Sequence, residues 1–267
     1  MLFRSGTVSL AVNGTAIVGT IKTASEIYTI RPVQNAIHVV QRIDDSALPP
    51  EKAPVEVNSN SRASTAADAL PPAQSDDGSI IDVIVFYTPA AQTAQGGQAA
   101  IEALIDLGIS ETNQAYQNSG VIQRLRLVRK ESINYTESGN MSTDLDRLQN
   151  GADGFMDTIP NTRSTYGADI VQLIENSPDA CGIAYLMTSV STAFSSLAYG
   201  VTHYACISPN YSFAHEMGHN MGLRHDTYID SGTTPSTYSH GYVNAAAFAP
   251  GAPTSARWRD IIDRKST

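Results

Sequence analysis

Short stretches of alternating apolar and polar residues fill the chain up to about Asp45. Val8-Ser9-Leu10-Ala11-Val12 and Ala16-Ile17-Val18-Gly19-Thr20-Ile21 flank Asn13-Gly14, a pair suited to the left-handed backbone of a two-residue turn. The pattern predicts an antiparallel hairpin. Ile27 to Ile30 and Ile37 to Val40 add further strand, so residues 1–46 form a small β-rich unit, too short to bury a rich core by itself. Neither apolar period continues through 47–79. There Pro49, Pro50, Pro54, Pro71 and Pro72 lie among Ser, Ala, Asn and Asp, the composition of a linker and of a protease-sensitive stretch.

Order is predicted again from Ile80. Ile80 to Tyr87 is a continuous apolar run of strand length, ended by Thr88-Pro89. Ile101, Leu104, Ile105, Gly108, Ile109, Thr112 and Tyr116 share one helical face, and Leu125 and Leu127 then alternate with arginines. A helix over Thr143 to Gln149 and a strand over Ala168 to Ile174 extend the alternation, which favours a largely parallel sheet with crossover helices. Shorter β pieces are expected at Gly182 to Leu186 and Thr202 to Cys206. Residues 80–267 are therefore the larger, α/β part of a chain of two unequal parts, and no internal repeat interrupts it.

Composition narrows the function classes. The chain is 42% hydrophobic and 16% charged, without an apolar run approaching a membrane span. A formal charge of −9 with scattered basic residues disfavours nucleic acid and anionic lipid as partners. Two cysteines, Cys181 and Cys206, leave two thiols or one disulfide open. The first residues, Met1 to Gly6, lack the basic start and apolar stretch of an export signal.

The strongest chemical signal is His215-Glu216-Met217-Gly218-His219-Asn220-Met221-Gly222-Leu223-Arg224-His225-Asp226, which fits HExxHxxGxxH at every specified position. Four-residue spacing sets His215 and His219 one helical turn apart on the same face, where two imidazoles meet one cation. Glu216 is rotated about 100° from the first ligand, which suits a general base rather than a ligand. Gly222 permits the positive φ that ends a helix and turns the chain so that His225 supplies a third nitrogen. Three imidazoles leave one position open for water, the arrangement of catalytic zinc. Chance gives these five positions on the order of once in a hundred thousand chains of this length.

The motif resembles the zinc site of the metzincins, and Gly218-His219-Asn220 with Asp226 resembles the reprolysin or adamalysin branch. Ile81 to Ala91, Cys181 to Met187 and Ser239-His240-Gly241-Tyr242 are similar to secreted bacterial reprolysin-like proteases, a group that includes the peptidyl-Asp metalloendopeptidases. The resemblance covers roughly residues 80–262. It implies a metzincin-like α+β catalytic domain, with a twisted, mostly parallel sheet, an antiparallel edge strand and an active-site helix. It further implies Zn2+ on His215, His219 and His225, catalysis by Glu216, and hydrolysis of peptide or protein substrates with a preference for sites next to Asp. Also implied are secretion as a monomeric precursor, a Cys181–Cys206 disulfide, and a role for residues 1–46 and the 47–79 linker as a propeptide partner. Substrate is expected to add as a strand along a sheet edge, for which Ala193 to Val201 is the candidate.

The chain departs from that family at its end. No methionine follows His225, and Ile262, in Trp258-Arg259-Asp260-Ile261-Ile262, stands where the methionine of the metzincin turn is expected, so the domain reads as truncated at its C-terminus. Two functions follow: an active zinc endopeptidase, or a latent or truncated zinc-binding homologue without turnover. His38, His203 and His240 are read as structural or surface residues, Asp226 as equally a turn carboxylate or a group near the metal, and Tyr204, Tyr238 and Tyr242 carry no assignment. No GxSxG elbow supports a serine mechanism.

Overall fold

The protein is described here as a computed structural model covering residues 6–23, 25–34, 36–44, 47–57, 80–244 and 260–262. The first four strands, β1 (Gly6–Asn13), β2 (Ala16–Thr23), β3 (Ile27–Gln34) and β4 (Ile37–Arg42), form one antiparallel sheet in chain order. Asn13 pairs with Ala16, and Gly14 has φ +59°, so the Asn-Gly turn makes the hairpin its sequence requires.

The second sheet has the order β5-β9-β10-β8-β6-β7. Its strands are β5 (Val55–Glu56), β6 (Ile80–Tyr87), β7 (Arg124–Ser132), β8 (Ile170–Glu175), β9 (Gly182–Leu186) and β10 (Tyr199–His203). β7, β6, β8 and β10 run parallel, and β9 lies antiparallel to β10. This is the mostly parallel sheet with an antiparallel strand toward one edge expected of a metzincin-like domain.

Helices α1 (Pro89–Gln95) and α2 (Gln98–Asn118) follow β6; α3 (Met141–Gln149) and α4 (Ile159–Tyr166) follow β7; α5 (Ser212–Asn220) follows β10. Thr88 caps α1 by accepting from the Ala91 amide, with Pro89 at the first turn, where its missing N–H costs nothing. The apolar face of α2 buries Ile101, Leu104 and Ile105 against Val83, Val85, Phe213 and Met217, while Leu145, Leu148, Ile159, Ile84 and Phe86 build a second core. α2 thus carries the sheet on one side. On the other it receives the first sheet, whose Val18 joins the same core and whose Asn13 donates to Glu102 at 2.9 Å.

Cys181 and Cys206 are bonded, joining β9 to the segment after β10. Closing a loop of 25 residues' separation stabilises the fold by about 3 kcal/mol through the unfolded chain.

Two expectations change. Residues 47–79 read as featureless linker, yet 47–57 are ordered and Val55–Glu56 extends the sheet beyond β9; backbone pairing, which apolar periodicity does not report, decides this. Residues 58–79 lie outside the described residues. Ala193 to Val201 is not an edge: Thr192–Leu197 is a 3-10 helix, and β10, which begins at Tyr199 rather than Thr202, is held between β8 and β9.

Glu175, at the end of β8, is fully buried, and its carboxyl is pushed up to about 10, first by burial and then by Asp144, Glu137 and Asp179. A raised folded value means that the stabilisation is complete below the ordinary value of 4.5 and is lost as pH climbs toward about 10. Glu175→Gln, which fixes the neutral form, should match the unmodified chain in thermal denaturation near pH 4.5 and exceed its Tm by about 5 °C at pH 8.

Candidate metal centre

All nine residues of α5 are buried. His215 and His219 project from one face with Nε2 atoms 3.0 Å apart. The helix then stops in a glycine-terminated turn: Gly222 has φ +89°, its amide donates to the His219 carbonyl at 3.0 Å, and Leu223 donates back to Gly218 at 2.9 Å. Both conformation and space require glycine, since a Cβ at 222 would stand 2.8 Å from Pro235. The reversal brings His225 to the pair, its Nε2 3.0 Å from that of His215 and 3.2 Å from that of His219. Asn220 fixes the helix on the sheet by donating to the carbonyls of Tyr185 and Tyr199 at 2.9 and 3.1 Å, and the Met187 amide donates to His219 at 3.1 Å.

The outer ring nitrogens define what the centre holds. Nδ1 of His219 lies 2.7 Å from the Leu223 carbonyl and Nδ1 of His215 lies 2.7 Å from that of Ile261. A carbonyl only accepts, so each Nδ1 carries the hydrogen, and each neutral Nε2 turns a lone pair to the centre. Burial, then the neighbouring His215, holds His219 well below the usual histidine range, in the neutral form a metal needs. Lone pairs facing one another at 3.0–3.2 Å repel unless a cation lies among them. Ligands at 2.0–2.1 Å from a tetrahedral zinc stand about 3.4 Å apart, close to this triangle. The three imidazoles fit zinc. They are also the group of metal-capable side chains found among the described residues.

Ile262 is buried beneath α5, and a Cβ on Gly218 would come within 2.3 Å of its Cδ1. Isoleucine thus fills the floor under the histidines, at the place where the metzincin resemblance puts a methionine, and Ile261 orients His215 from the same turn. Trp258, Arg259 and residues 263–267 lie outside the described residues.

Glu216 is fully buried with its carboxyl against Gly182, where a Cβ would stand 2.3 Å from Oε1. Burial and the adjacent Glu51 carboxyl raise it well above the ordinary carboxylate range. Glu51 is held by the Ser212 hydroxyl and by Asn210 Nδ2 at 3.1 Å. Around Glu51 the chain runs along β9: the Cys181 amide donates to Pro50 at 2.9 Å, Lys52 donates to Gly182 at 3.2 Å, and Val55 and Glu56 lie opposite Tyr185 and Leu186. Lys52 pairs with Asp179, and Arg224 with Glu56. A cavity of about 660 Å³ opens beside His215, lined by Glu51, Tyr116, Tyr211, Met221 and Ile262.

Sequence reasoning did not find Glu51, Glu56, Arg224 or Gly182. Only Arg224, a cation inside the motif, left a signal. His240 has a positioning role, with its ring nitrogens 2.7 Å from the carbonyls of His225 and Gly232. Asp226 is a turn carboxylate that accepts from the Tyr228 amide at 2.9 Å. His203 lies beside the disulfide with its pKa lowered to about 4 by burial, and His38 accepts from the Ile17 amide at 2.9 Å. Tyr238 is exposed.

Residues 102–226 match the profile of the metallo-peptidase family M12B, reprolysin-like. A peptidyl-Asp metalloendopeptidase of Stenotrophomonas maltophilia (strain K279a) is 37% identical over 256 residues, 95% of this chain and 58% of the relative. One from Xanthomonas campestris pv. campestris is 36% identical over 261 residues, 93% of this chain and 61% of the relative. The chain therefore spans about three fifths of the length of these relatives. The crystal structure of metalloproteinase-II from Bacteroides fragilis shares the fold, with a TM-score of 0.53 at 9% identity, covering 84% of this chain and 71% of that one.

His219→Ala removes one corner of the triangle. Elemental analysis should find about one zinc per unmodified chain and well under half of that in the variant. Stripping zinc from the unmodified chain with a chelator should lower its Tm by several degrees, because the metal binds the folded form alone.

Proposed function

We propose that this chain, whose residues 102–226 form a reprolysin-like M12B metallopeptidase domain, is a zinc-dependent endopeptidase with Glu216 as general base. The observation that carries the reading is the triangle of imidazole nitrogens, 3.0–3.2 Å on a side, with a buried carboxyl on the residue next to His215. His215, His219 and His225 would hold the ion. Zinc, when bound, polarises a peptide carbonyl and makes water a nucleophile at neutral pH.

The chain's own residues supply the rest. Glu216 Oε takes the proton from the attacking water and delivers it to the departing amine. Once residues 50–56 leave it, the outer edge of β9 would offer its backbone groups to an extended peptide, which would lie down as an added strand with its carbonyl beside the three histidines.

In the intact chain that edge is already taken by residues 50–56, and Glu51 sits against the base. The intact chain is accordingly a latent precursor, residues 1–57 its inhibitory partner and 58–79 the place of activating cleavage. Secretion fits the Cys181–Cys206 disulfide, which persists in oxidising compartments. No helix of the described residues is long and apolar enough to cross a membrane. Preference for peptides with Asp at the cut site is carried over from the curated relatives' names.

Glu216→Gln tests the mechanism. The variant should keep about one zinc per chain and lose 10²- to 10⁴-fold in peptide hydrolysis after cleavage between residues 58 and 79. Undiminished hydrolysis would refute Glu216 as base. Hydrolysis by the unmodified chain should rise at least tenfold on the same cleavage; equal activity before and after would refute latency.

A further inference from the structure

We infer that Arg224 recognises an acidic side chain on a peptide laid along β9, and that Glu56 fills this place within the intact chain. The inference rests on the endopeptidase reading and names what its cleft selects.

Successive side chains of a strand face opposite sides, and β5 obeys this. Val55 packs on the second hydrophobic core, so Glu56 turns the other way, toward the loop that carries the third histidine. There both terminal nitrogens of Arg224 converge on one oxygen, Glu56 Oε1, at 2.7 and 2.6 Å. The Arg224 side chain is 2% exposed and that of Glu56 54% exposed, so the cation lies at the base of the notch and the anion at its mouth.

Arg224 is fixed before any peptide arrives. Its Nε donates to the Thr234 carbonyl at 2.7 Å, and Nη1 reaches Asp230 at 3.1 Å. Gly232 leaves room for the guanidinium, which would otherwise stand 2.2 Å from a Cβ. Asp230 supplies one compensating charge. The face of the fork that Glu56 occupies suits a second carboxylate, and a planar guanidinium binds carboxylates with a geometry that lysine does not reproduce.

The contact is with a position rather than with one particular residue. Any chain that pairs with β9 opposite Leu186 on this face presents its side chain to Arg224. Arg224 also directly precedes His225, so the charge reader and the metal triangle are set by the same turn after Gly222.

The test uses the full chain cleaved between residues 58 and 79 with both pieces retained. Fluorogenic peptides differ at one position at a time, carrying Asp or Glu against Asn or Gln. At one position the acid should raise kcat/KM about tenfold or more, mainly through KM, and Arg224→Gln with zinc still bound should bring the ratio to within about twofold. Arg224→Lys should recover only part of it.

A second measurement does not depend on the variants folding. Competing with the retained N-terminal piece for β9, a labelled synthetic peptide of residues 49–57 should bind the unmodified cleaved chain at least about tenfold more tightly than its E56Q counterpart, read by anisotropy. Equal binding of the two peptides overturns the inference. So does survival, in zinc-loaded Arg224→Gln, of the acid preference at the position that lies opposite Leu186. If no peptide is hydrolysed although zinc is present, the endopeptidase reading fails, and the binding pair still decides the role of Arg224.

Discussion

Three imidazole nitrogens stand within 3.2 Å of one another, and the domain is arranged to hold them there. Each restraint has a distinct source. Helical spacing sets His215 over His219, the carbonyls of Ile261 and Leu223 fix two ring orientations, Asn220 ties the helix to β9 and β10, and the left-handed Gly222 returns the chain with His225. A divalent cation would draw these nitrogens together, so the restraints hold a triangle ready for one.

The same geometry explains the surroundings of Glu216. A residue one position after His215 is carried into the helix–sheet interface, and room exists for the Glu216 carboxyl because β9 begins with glycine at 182. That places the Glu216 carboxyl at the sheet edge where residues 50–56 lie. Residues 50–56 on that edge therefore reach Glu216 through Glu51 and Arg224 through Glu56. In the intact protein, residues 50–56 therefore meet Glu216 and Arg224 on one surface.

The floor of the site shows how far a side chain can change while its work is kept. Ile262 supplies apolar bulk beneath Gly218 and its neighbour's carbonyl orients His215. Neither task needs sulfur, since the residue packs and does not coordinate, and volume-conserving apolar exchanges are well tolerated.

The sequence by itself determined the helices and strands whose apolar periods are long, the Asn13-Gly14 hairpin, and the identities of His215, Glu216, His219 and His225, because local spacing on a helix and a glycine-ended turn dictate how those four are presented. Tertiary structure alone decided which strand forms the edge, since pairing of β10 between β8 and β9 rests on backbone hydrogen bonds between distant segments. It also decided that the proline-rich residues after Ala47 lie on β9, bringing Glu51 to Glu216 and Glu56 to Arg224 across more than a hundred and sixty positions. Such contacts leave no period in a chain. They arise only when separate elements come together around one core.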